Sequence, residues 1–401
     1  MKIAVVGLYS IKNVGDNVLC YSTIHLLRQM LPRVRIVEVD ANPTMAEVKQ
    51  YGRIRAFIAR VMIHFQKDLF SYECHTKFRY WYEKTMWKLK SQRYFKDKLK
   101  GCDAVVFAGG GFLKFRTQGL NYYVEQIISI ARDQHALVMM NGVGIEGYDE
   151  NDIRCQKLKG MINDSCVKVI TTRDDIEILN NNYMTNKDIL TSRVGDPALW
   201  TPEVYDIHRA ETIRDVVAVN LIRGNVYQDY GNKLSPLGLE NLYRHLLRKL
   251  DERGIRWVLF SNGMKADDAF GKALLETMGY HENDKLVTFS STEEYMRYLS
   301  SVACTFGARL HACIISYAMD VPVTGLIWND KTRFFSEIIG KRQYFFDENE
   351  LDVDKIVDAI QQAANDQHDS KTREELKELT RSYVEKFCKI LKAEKKSAQE
   401  D

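Results

Sequence analysis

Short runs of consecutive apolar residues alternate along the chain with longer segments in which apolar positions recur every three or four residues. Apolar runs of about four to eight residues indicate buried strands, and the longer spacing indicates amphipathic helices. Such alternation predicts α/β domains built on parallel sheets. The predicted strands lie at 3–7, 34–40, 104–108, 136–140, 167–171, 190–194, 216–222, 257–261, 285–289, 302–306, 323–328 and 343–346.

The alternation of predicted strands and helices begins at the N-terminus and begins again after Pro202. A strand at 3–7, a loop with Gly15 and a helix at 18–30 form the opening of a Rossmann-like domain, and a fresh buried strand at 216–222 follows Pro202. We therefore predict two Rossmann-like, doubly wound domains. Their expected limits are residues 1–203 and 204–370, and residues 371–401 are expected to form a C-terminal helix with a charged tail.

A long helical segment at about 44–100 interrupts the first predicted domain where a short crossover is expected. Aromatic and basic residues crowd it, and acidic residues are sparse. Such a surface suits an anionic membrane or a lipid-linked phosphate acceptor. The pattern is more typical of a solvated basic face over a packed aromatic core. The aromatic residues in its second half are Trp81, Tyr82, Trp87, Tyr94 and Phe95.

One predicted strand–helix–strand unit carries Arg309, His311 and Lys331. In open α/β sheets, ligands bind at the carboxyl ends of strands, where helix N-termini present N–H groups to anions. Residues two apart point to nearly opposite sides of a helix, so Arg309 and His311 can share a pocket only from its first turn. The alternative is one cation at a helix start and a histidine bonded to a carbonyl in the core.

Two other predicted strand ends have residues suited to ligand binding. Asp16 or Asn17 can cap the next helix after the turn that Gly15 permits, or Asn13 and Asp16 can meet a substrate hydroxyl. Gly110 and Gly111 can let backbone N–H groups approach a ligand, or can allow tight packing. Neither loop matches GxGxxG or a P-loop, so the sequence supports nucleotide binding only weakly.

Charged and amide residues end further strands in the same way. Arg173 follows the strand at 167–171, and the strand at 216–222 delivers Asn220 and Arg223 to its carboxyl end. Glycine or charged residues therefore follow several predicted strands, as expected at a sheet edge that faces a ligand.

Composition restricts the class of protein. The 401 residues are 45% hydrophobic and 28% charged, with a net charge of +3, which is ordinary for a globular protein and does not imply nucleic-acid binding. Eight cysteines without a CxxC pair, and no apparent signal peptide, indicate reduced thiols in the cytoplasm. No HExxH motif or acidic cluster calls for a metal ion.

Several motifs in order, NVGD, GGGFL, RDD, VGDPAL and ARLHACIISYAMDVPV followed by Lys331, resemble the polysaccharide pyruvyl transferase family over about residues 1–365. The resemblance implies a glycosyltransferase-B-like fold with the active site in a cleft between the domains. It also implies transfer of pyruvate from phosphoenolpyruvate to a sugar of a cell-surface polysaccharide or its lipid-linked precursor, without a cofactor. Peripheral contact with the inner face of an anionic membrane would fit such an acceptor.

This chemistry suggests roles for the candidate residues. Phosphoenolpyruvate carries a phosphate and a carboxylate, for which Arg223, Arg309 and Lys331 are the expected cations. His311 is the expected general acid, and Asp16, from the opposite domain, is the expected base. The further residues expected to bind substrate are Asn13, Gly15, Gly110, Gly111, Arg173 and Asn220.

Two other functions agree with the same architecture. A glycosyltransferase would place the diphosphate of a nucleotide sugar on the same cations and helix ends. A noncatalytic subunit of a polysaccharide assembly complex would use the basic segment to dock at the membrane.

Overall fold

The computed structural model describes residues 1–9, 13–69, 76–116, 119–366 and 370–400. Its internal contacts divide the chain into two units. Unit 1 comprises Met1–Ile11, Leu19–Pro197 and Glu378–Asp401, and unit 2 comprises Lys12–Val18 and Ala198–Lys377.

The described residues of unit 1 contain a parallel six-stranded sheet in the order β2-β1-β3-β4-β5-β6. Central strands β3 and β4 are buried throughout because helices cover both faces of such sheets. The order reverses between β1 and β3, which makes their carboxyl ends a topological switch point. The strands are β1 Lys2–Gly7, β2 Arg35–Asp40, β3 Ala104–Ala108, β4 Leu137–Val143, β5 Val167–Thr172 and β6 Leu190–Arg193.

Helices α2, α3 and α4 fill the connection between β2 and β3, which confirms the helical segment predicted at 44–100. Helix α4 packs against α5, and Tyr94 and Phe95 enter the core. The first six helices are α1 Val14–Met30, α2 Met45–Gln50, α3 Arg53–Leu69, α4 Lys77–Leu99, α5 Leu120–Asp133 and α6 Ile153–Ile162.

Unit 2 repeats this plan over its described residues, with six parallel strands in the order β12-β11-β10-β7-β8-β9. This is the strand order of a Rossmann fold, and its switch point lies between β7 and β10. The strands are β7 Arg214–Asn220, β8 Trp257–Phe260, β9 Leu286–Val287, β10 Val302–Gly307, β11 Val323–Leu326 and β12 Phe345–Phe346.

Helices cover this second sheet, and the last of them continues into unit 1. No helix in the described parts of the chain combines the length and apolar character needed to cross a bilayer. These helices are α7 Thr201–Tyr205, α8 Val226–Asp229, α9 Pro236–Glu252, α10 Lys265–Met278, α11 Glu282–Lys285, α12 Thr292–Leu299, α13 Leu310–Ala318, α14 Asp330–Ile338, α15 Val353–Asn365 and α16 Ser370–Glu400.

The limits of the units differ from those expected. The division falls after Pro197 instead of after residue 203, and α16 is divided between the units instead of forming a region of its own. The reason lies in its side chains. Arg373 pairs with Asp320 inside unit 2, whereas Thr380 donates a 2.9 Å hydrogen bond to the Gly195 carbonyl inside unit 1.

Lys90 on α4 is a partly buried cation in unit 1. Its Nζ donates hydrogen bonds of 3.0 Å to Asn42 Oδ1 and to the Tyr123 hydroxyl, and it lies 5.0 Å from the centre of the Trp87 ring. Burial lowers the pKa of Lys90 to about 8, because the charged form is poorly solvated there. The folded protein therefore releases this proton at a lower pH than the unfolded chain does.

We expect the free energy of unfolding of the wild type to rise, relative to Lys90→Met, as the pH increases from about 8 to about 10. Below pH 8 the native state carries the buried charge, and above it only the unfolded chain binds the proton, so the slope approaches about 1.4 kcal/mol per pH unit. Urea unfolding of both proteins across this range measures the difference. Parallel profiles would contradict the prediction.

Candidate active site

The switch point of unit 2 is held together by Asn220, the last residue of β7. Its Oδ1 accepts a 2.8 Å hydrogen bond from the Arg309 backbone N–H, and its Nδ2 donates to Asn262 Oδ1 at 3.1 Å. Because Asn262 follows β8 and Arg309 follows β10, one amide joins the ends of three strands. Asn220 is completely buried. We therefore propose that Asn220 positions these loops, whereas the sequence predicted direct contact with substrate.

Arg309 immediately precedes α13 and forms a two-point ion pair with Asp267. Its Nε lies 2.9 Å from Asp267 Oδ2, and its Nη2 lies 2.8 Å from Oδ1. Asp267 is fully buried in the first turn of α10, where it also accepts a 2.9 Å hydrogen bond from the Arg223 backbone N–H. The Arg309 side chain keeps 20% of its surface exposed. The Arg309–Asp267 pair has no net charge. Arg309 would therefore bind a ligand through hydrogen-bond donors of fixed direction and less through positive charge.

His311 is the second residue of α13, and Gly15 of unit 2 packs against its ring. A Cβ atom on Gly15 would lie 2.4 Å from both Cγ and Nδ1 of the imidazole. Any larger residue would displace the ring or the start of α1. Gly15 therefore gives α1 its close approach to His311, a role different from the substrate contact expected of it.

Asn13 builds the first turn of α1 on the same edge. Its Oδ1 accepts a hydrogen bond from the Gly15 N–H at 3.2 Å, and its Nδ2 donates to Asp16 Oδ2 at 2.9 Å. The Val14 N–H donates to the Asn262 carbonyl at 3.0 Å. Asn13 thus caps the helix, a role that the sequence predicted for Asp16 or Asn17, and its amide also orients the Asp16 carboxylate.

Two expectations about this turn were wrong. Helix α1 begins at Val14, not at residue 18, because Asn13 and Asn262 satisfy polar groups at its start. Asp16 was expected to come from the opposite domain. The segment Lys12–Val18 instead belongs to unit 2, as His311 does, so the carboxylate and the imidazole are carried by the same unit.

Lys331 lies in the first turn of α14 and is partly buried. Trp328, which precedes this helix, donates from Nε1 to the Ala308 carbonyl at 2.6 Å. Because Ala308 directly precedes Arg309, this bond holds the β11–α14 loop next to the start of α13.

The Arg223 side chain differs from that of Arg309 although both residues follow strand ends. It pairs with Asp229 at 2.6 Å, and both side chains are 46% exposed. Only the backbone of Arg223 reaches Asp267. We therefore propose that Arg223 acts through its backbone, whereas the sequence predicted an anion-binding side chain.

The remaining candidates belong to unit 1. Gly110 and Gly111 follow β3 at the switch point of that sheet. Gly110 has a φ of +73°, which favours glycine, and its carbonyl accepts a 2.6 Å hydrogen bond from the Gly144 N–H. Arg173 is paired with Asp196, and both side chains are almost fully buried. We therefore propose a structural role for Arg173, whereas the sequence predicted a contact with substrate.

Sequence reasoning missed Asn262 and Asp267. Asn262 follows a predicted strand within the turn Ser261-Asn262-Gly263, the same signal that singled out Asn220. Asp267 opens a helix after that turn, and only the fold shows that its partner is an arginine. Across the described residues, no group of three or more His, Cys, Asp or Glu side chains is arranged to hold a metal ion.

The model of a known family matches this chain over residues 13–330 and is described as polysaccharide pyruvyl transferase. The chain belongs to this family. Membership makes it a transferase and argues against a noncatalytic assembly subunit. The matched range includes the first turn of α1, the start of α13 and Asp267. A separate search of curated proteins found no match.

Solved structures with the same fold include sugar-nucleotide enzymes. UDP-GlcNAc 2-epimerase from Methanocaldococcus jannaschii has a TM-score of 0.57 at 12% identity, covering 98% of this chain and 100% of the epimerase. The Neisseria meningitidis enzyme bound to UDP-GlcNAc scores 0.53 at 9% identity, covering 98% and 100%. Trehalose 6-phosphate synthase from Burkholderia multivorans scores 0.51 at 10% identity, covering 99% of each. These similarities establish a glycosyltransferase-B-like fold.

We expect Asp267→Asn to lower the free energy of unfolding by about 3 kcal/mol, because it leaves the Arg309 guanidinium without its buried counter-charge. The matched control is Asp229→Asn, which removes the partner of Arg223 at a half-exposed site and changes the same quantity by less than about 1 kcal/mol. Urea unfolding measures both variants. Equal effects would show that the Arg309–Asp267 pair does not organise this edge.

Proposed function

We propose that this transferase moves the pyruvyl group of phosphoenolpyruvate to two hydroxyls of one sugar and so forms a cyclic ketal. The observation that supports it most is the packing of Gly15 on His311. It brings a turn bearing the Asp16 carboxylate against an imidazole, beside a fixed arginine in the same unit. The acceptor is a sugar of a cell-surface polysaccharide, such as an exopolysaccharide, or its lipid-linked precursor. No cofactor takes part.

Donor binding would use the start of α13. The first N–H groups of a helix and its dipole favour an anion, and Arg309 is the residue immediately before this helix. Asp267 occupies Nε and Nη2, and no described residue accepts a hydrogen bond from Nη1. We assign Nη1 to the carboxylate or phosphate of the donor. Lys331, on the adjoining loop, would supply the positive charge that the neutral Arg309–Asp267 pair lacks.

The first chemical step is addition across the donor double bond. The His311 imidazolium gives a proton to the methylene carbon, which becomes a methyl group, while a sugar hydroxyl attacks the neighbouring carbon. Asp16 takes the proton of that hydroxyl as a new C–O bond forms. Asn13 holds Asp16 Oδ2 through its amide, which fixes the direction of the carboxylate. An acid and a base positioned in this way each contribute about 10²- to 10⁴-fold to a rate.

The second step closes the ketal. A second hydroxyl of the same sugar attacks the same carbon, the bond to the phosphate oxygen breaks, and phosphate leaves with the proton of that hydroxyl. Protonated Asp16 returns its proton to His311, directly or through water. The sum is phosphoenolpyruvate plus a diol giving a pyruvate ketal plus inorganic phosphate.

We place this reaction in the cytoplasm. The cysteines of the described residues are all buried free thiols, as in proteins kept under reducing conditions. A nucleotide-sugar glycosyltransferase of the same fold remains the rival function. Incubation with each donor separates them, because phosphate release from phosphoenolpyruvate supports our proposal and nucleotide release from a nucleotide sugar contradicts it.

We expect His311→Gln to reduce the rate of pyruvyl transfer at least 100-fold, because glutamine cannot protonate the methylene carbon. His245→Gln is the matched control, since His245 is exposed on α9 and should leave the rate unchanged. Phosphate release in the presence of acceptor measures both. A His311→Gln enzyme with an undiminished rate would remove the general acid from the mechanism.

We expect Arg309→Lys to weaken phosphoenolpyruvate binding about tenfold or more, since lysine keeps the charge but cannot hold both Asp267 oxygens and also present the N–H that we assign to the donor. Arg223→Lys should bind the donor like the wild type, because the Arg223 side chain is engaged by Asp229. Calorimetric titration measures affinity, and circular dichroism checks that both variants are folded. Unchanged binding by a folded Arg309→Lys protein would exclude this arginine from the donor site.

A further inference from the structure

An exposed apolar stripe runs along α3 of the helical segment in unit 1. Its members recur at the three-to-four spacing that normally marks the buried face of a helix. Here they are between 37 and 76% exposed. The stripe consists of Ile54, Phe57, Ile58, Val61 and Phe65.

The orientation of α3 is fixed by contacts on its opposite side. Ala56 and Ala59 are completely buried, and the Met62 carbonyl accepts a 2.9 Å hydrogen bond from the Tyr82 hydroxyl on α4. Gln66 donates to Glu83 Oε1 at 2.7 Å. Small and polar residues therefore face inward and large apolar residues face outward, the reverse of a core-packing helix. Rotating α3 to bury the stripe would break these contacts.

Positive charge surrounds the stripe. The exposed charged side chains in the described parts of α3 and the first half of α4 are all basic: Arg53, Arg60, Lys77, Lys84 and Lys88. The one acid in residues 53–66 and 77–88 is Glu83, which is buried and paired with Arg79 at 2.7 Å. Phe78 and Trp81 add a stacked, exposed aromatic pair at the start of α4, with ring centres 6.3 Å apart.

We propose that this surface docks on an anionic phospholipid bilayer, with α3 lying in the plane of the headgroups and its apolar stripe among the acyl chains. A helix with an apolar face, basic flanks and nearby aromatic rings is suited to the boundary between headgroups and acyl chains. The basic flanks select a negatively charged partner, and tryptophan is favoured at that depth. Docking of this kind would bring the enzyme to an acceptor carried on a lipid. The proposal does not depend on the identity of the donor.

The test is co-sedimentation of the full-length protein with vesicles of phosphatidylcholine alone or mixed equally with phosphatidylglycerol. We expect the wild type to bind the mixed vesicles and to lose most of this binding in high salt. The double variant Ile54→Gln/Phe57→Gln should bind at least about fivefold less. The control is Leu237→Gln, which removes a similarly exposed apolar side chain from α9 and should bind like the wild type.

Three results would overturn the proposal. They are no binding of the wild type to the mixed vesicles, equal binding of the double variant, and sedimentation of the wild type as a dimer that the double variant dissociates. The last result would assign the stripe to a second copy of the chain. Calorimetric titration with phosphoenolpyruvate keeps this test separate from the proposed function, because the double variant should retain donor affinity whichever result is obtained.

Discussion

The buried carboxylate of Asp267 constrains the whole carboxyl edge of the second sheet. A charge removed from water is stable only if an opposite charge and further donors satisfy it, and Asp267 obtains these from the Arg309 guanidinium and the Arg223 N–H. This requirement fixes the direction of Arg309. Because α13 begins at the next residue, it also fixes where His311 emerges.

A second set of contacts depends on this arrangement. Asn220 holds the backbone of Arg309, Asn262 holds both Asn220 and the Val14 N–H, and Gly15 rests on the His311 ring. Each contact contributes a modest free energy. Because the groups are buried or nearly so, losing one contact would leave its partner unsatisfied, and the contacts therefore depend on one another. Solved structures at 9 to 12% identity share the fold, and a fold of this kind can carry many different chemistries.

The sequence predicted the sheets well because parallel strands buried on both faces leave a strong signal. The run at 104–108 became β3 with the same limits, and 302–306 became β10 with one residue added. The start of α1 was missed because the periodic pattern excludes Gly15 and Asp16. Its true beginning depends on Asn262, a contact made more than 200 residues away.

The sequence predicted where the candidate residues lie in the fold, but not which partners their side chains contact. The rule that ligands gather at strand ends singled out Arg309 and His311, which lie at the N-cap and the second residue of α13. It could not separate Arg309 from Arg223, since both follow strands and only their partners, one buried and one exposed, distinguish them. It also selected Arg173, whose burial beside Asp196 has no signature in the sequence.

Helices α2 to α4 lie in a single connection between two strands that do not pair with each other, since β1 separates β2 from β3. Closing a longer loop costs little, about 0.6 kcal/mol for each doubling of its length. The exposed surface of this segment can therefore change, and the loops between its helices can lengthen, while the register of the sheet and the core contacts of Tyr94 and Phe95 stay intact. Family members can diverge in where they work within the cell without any change to the residues that carry out the reaction.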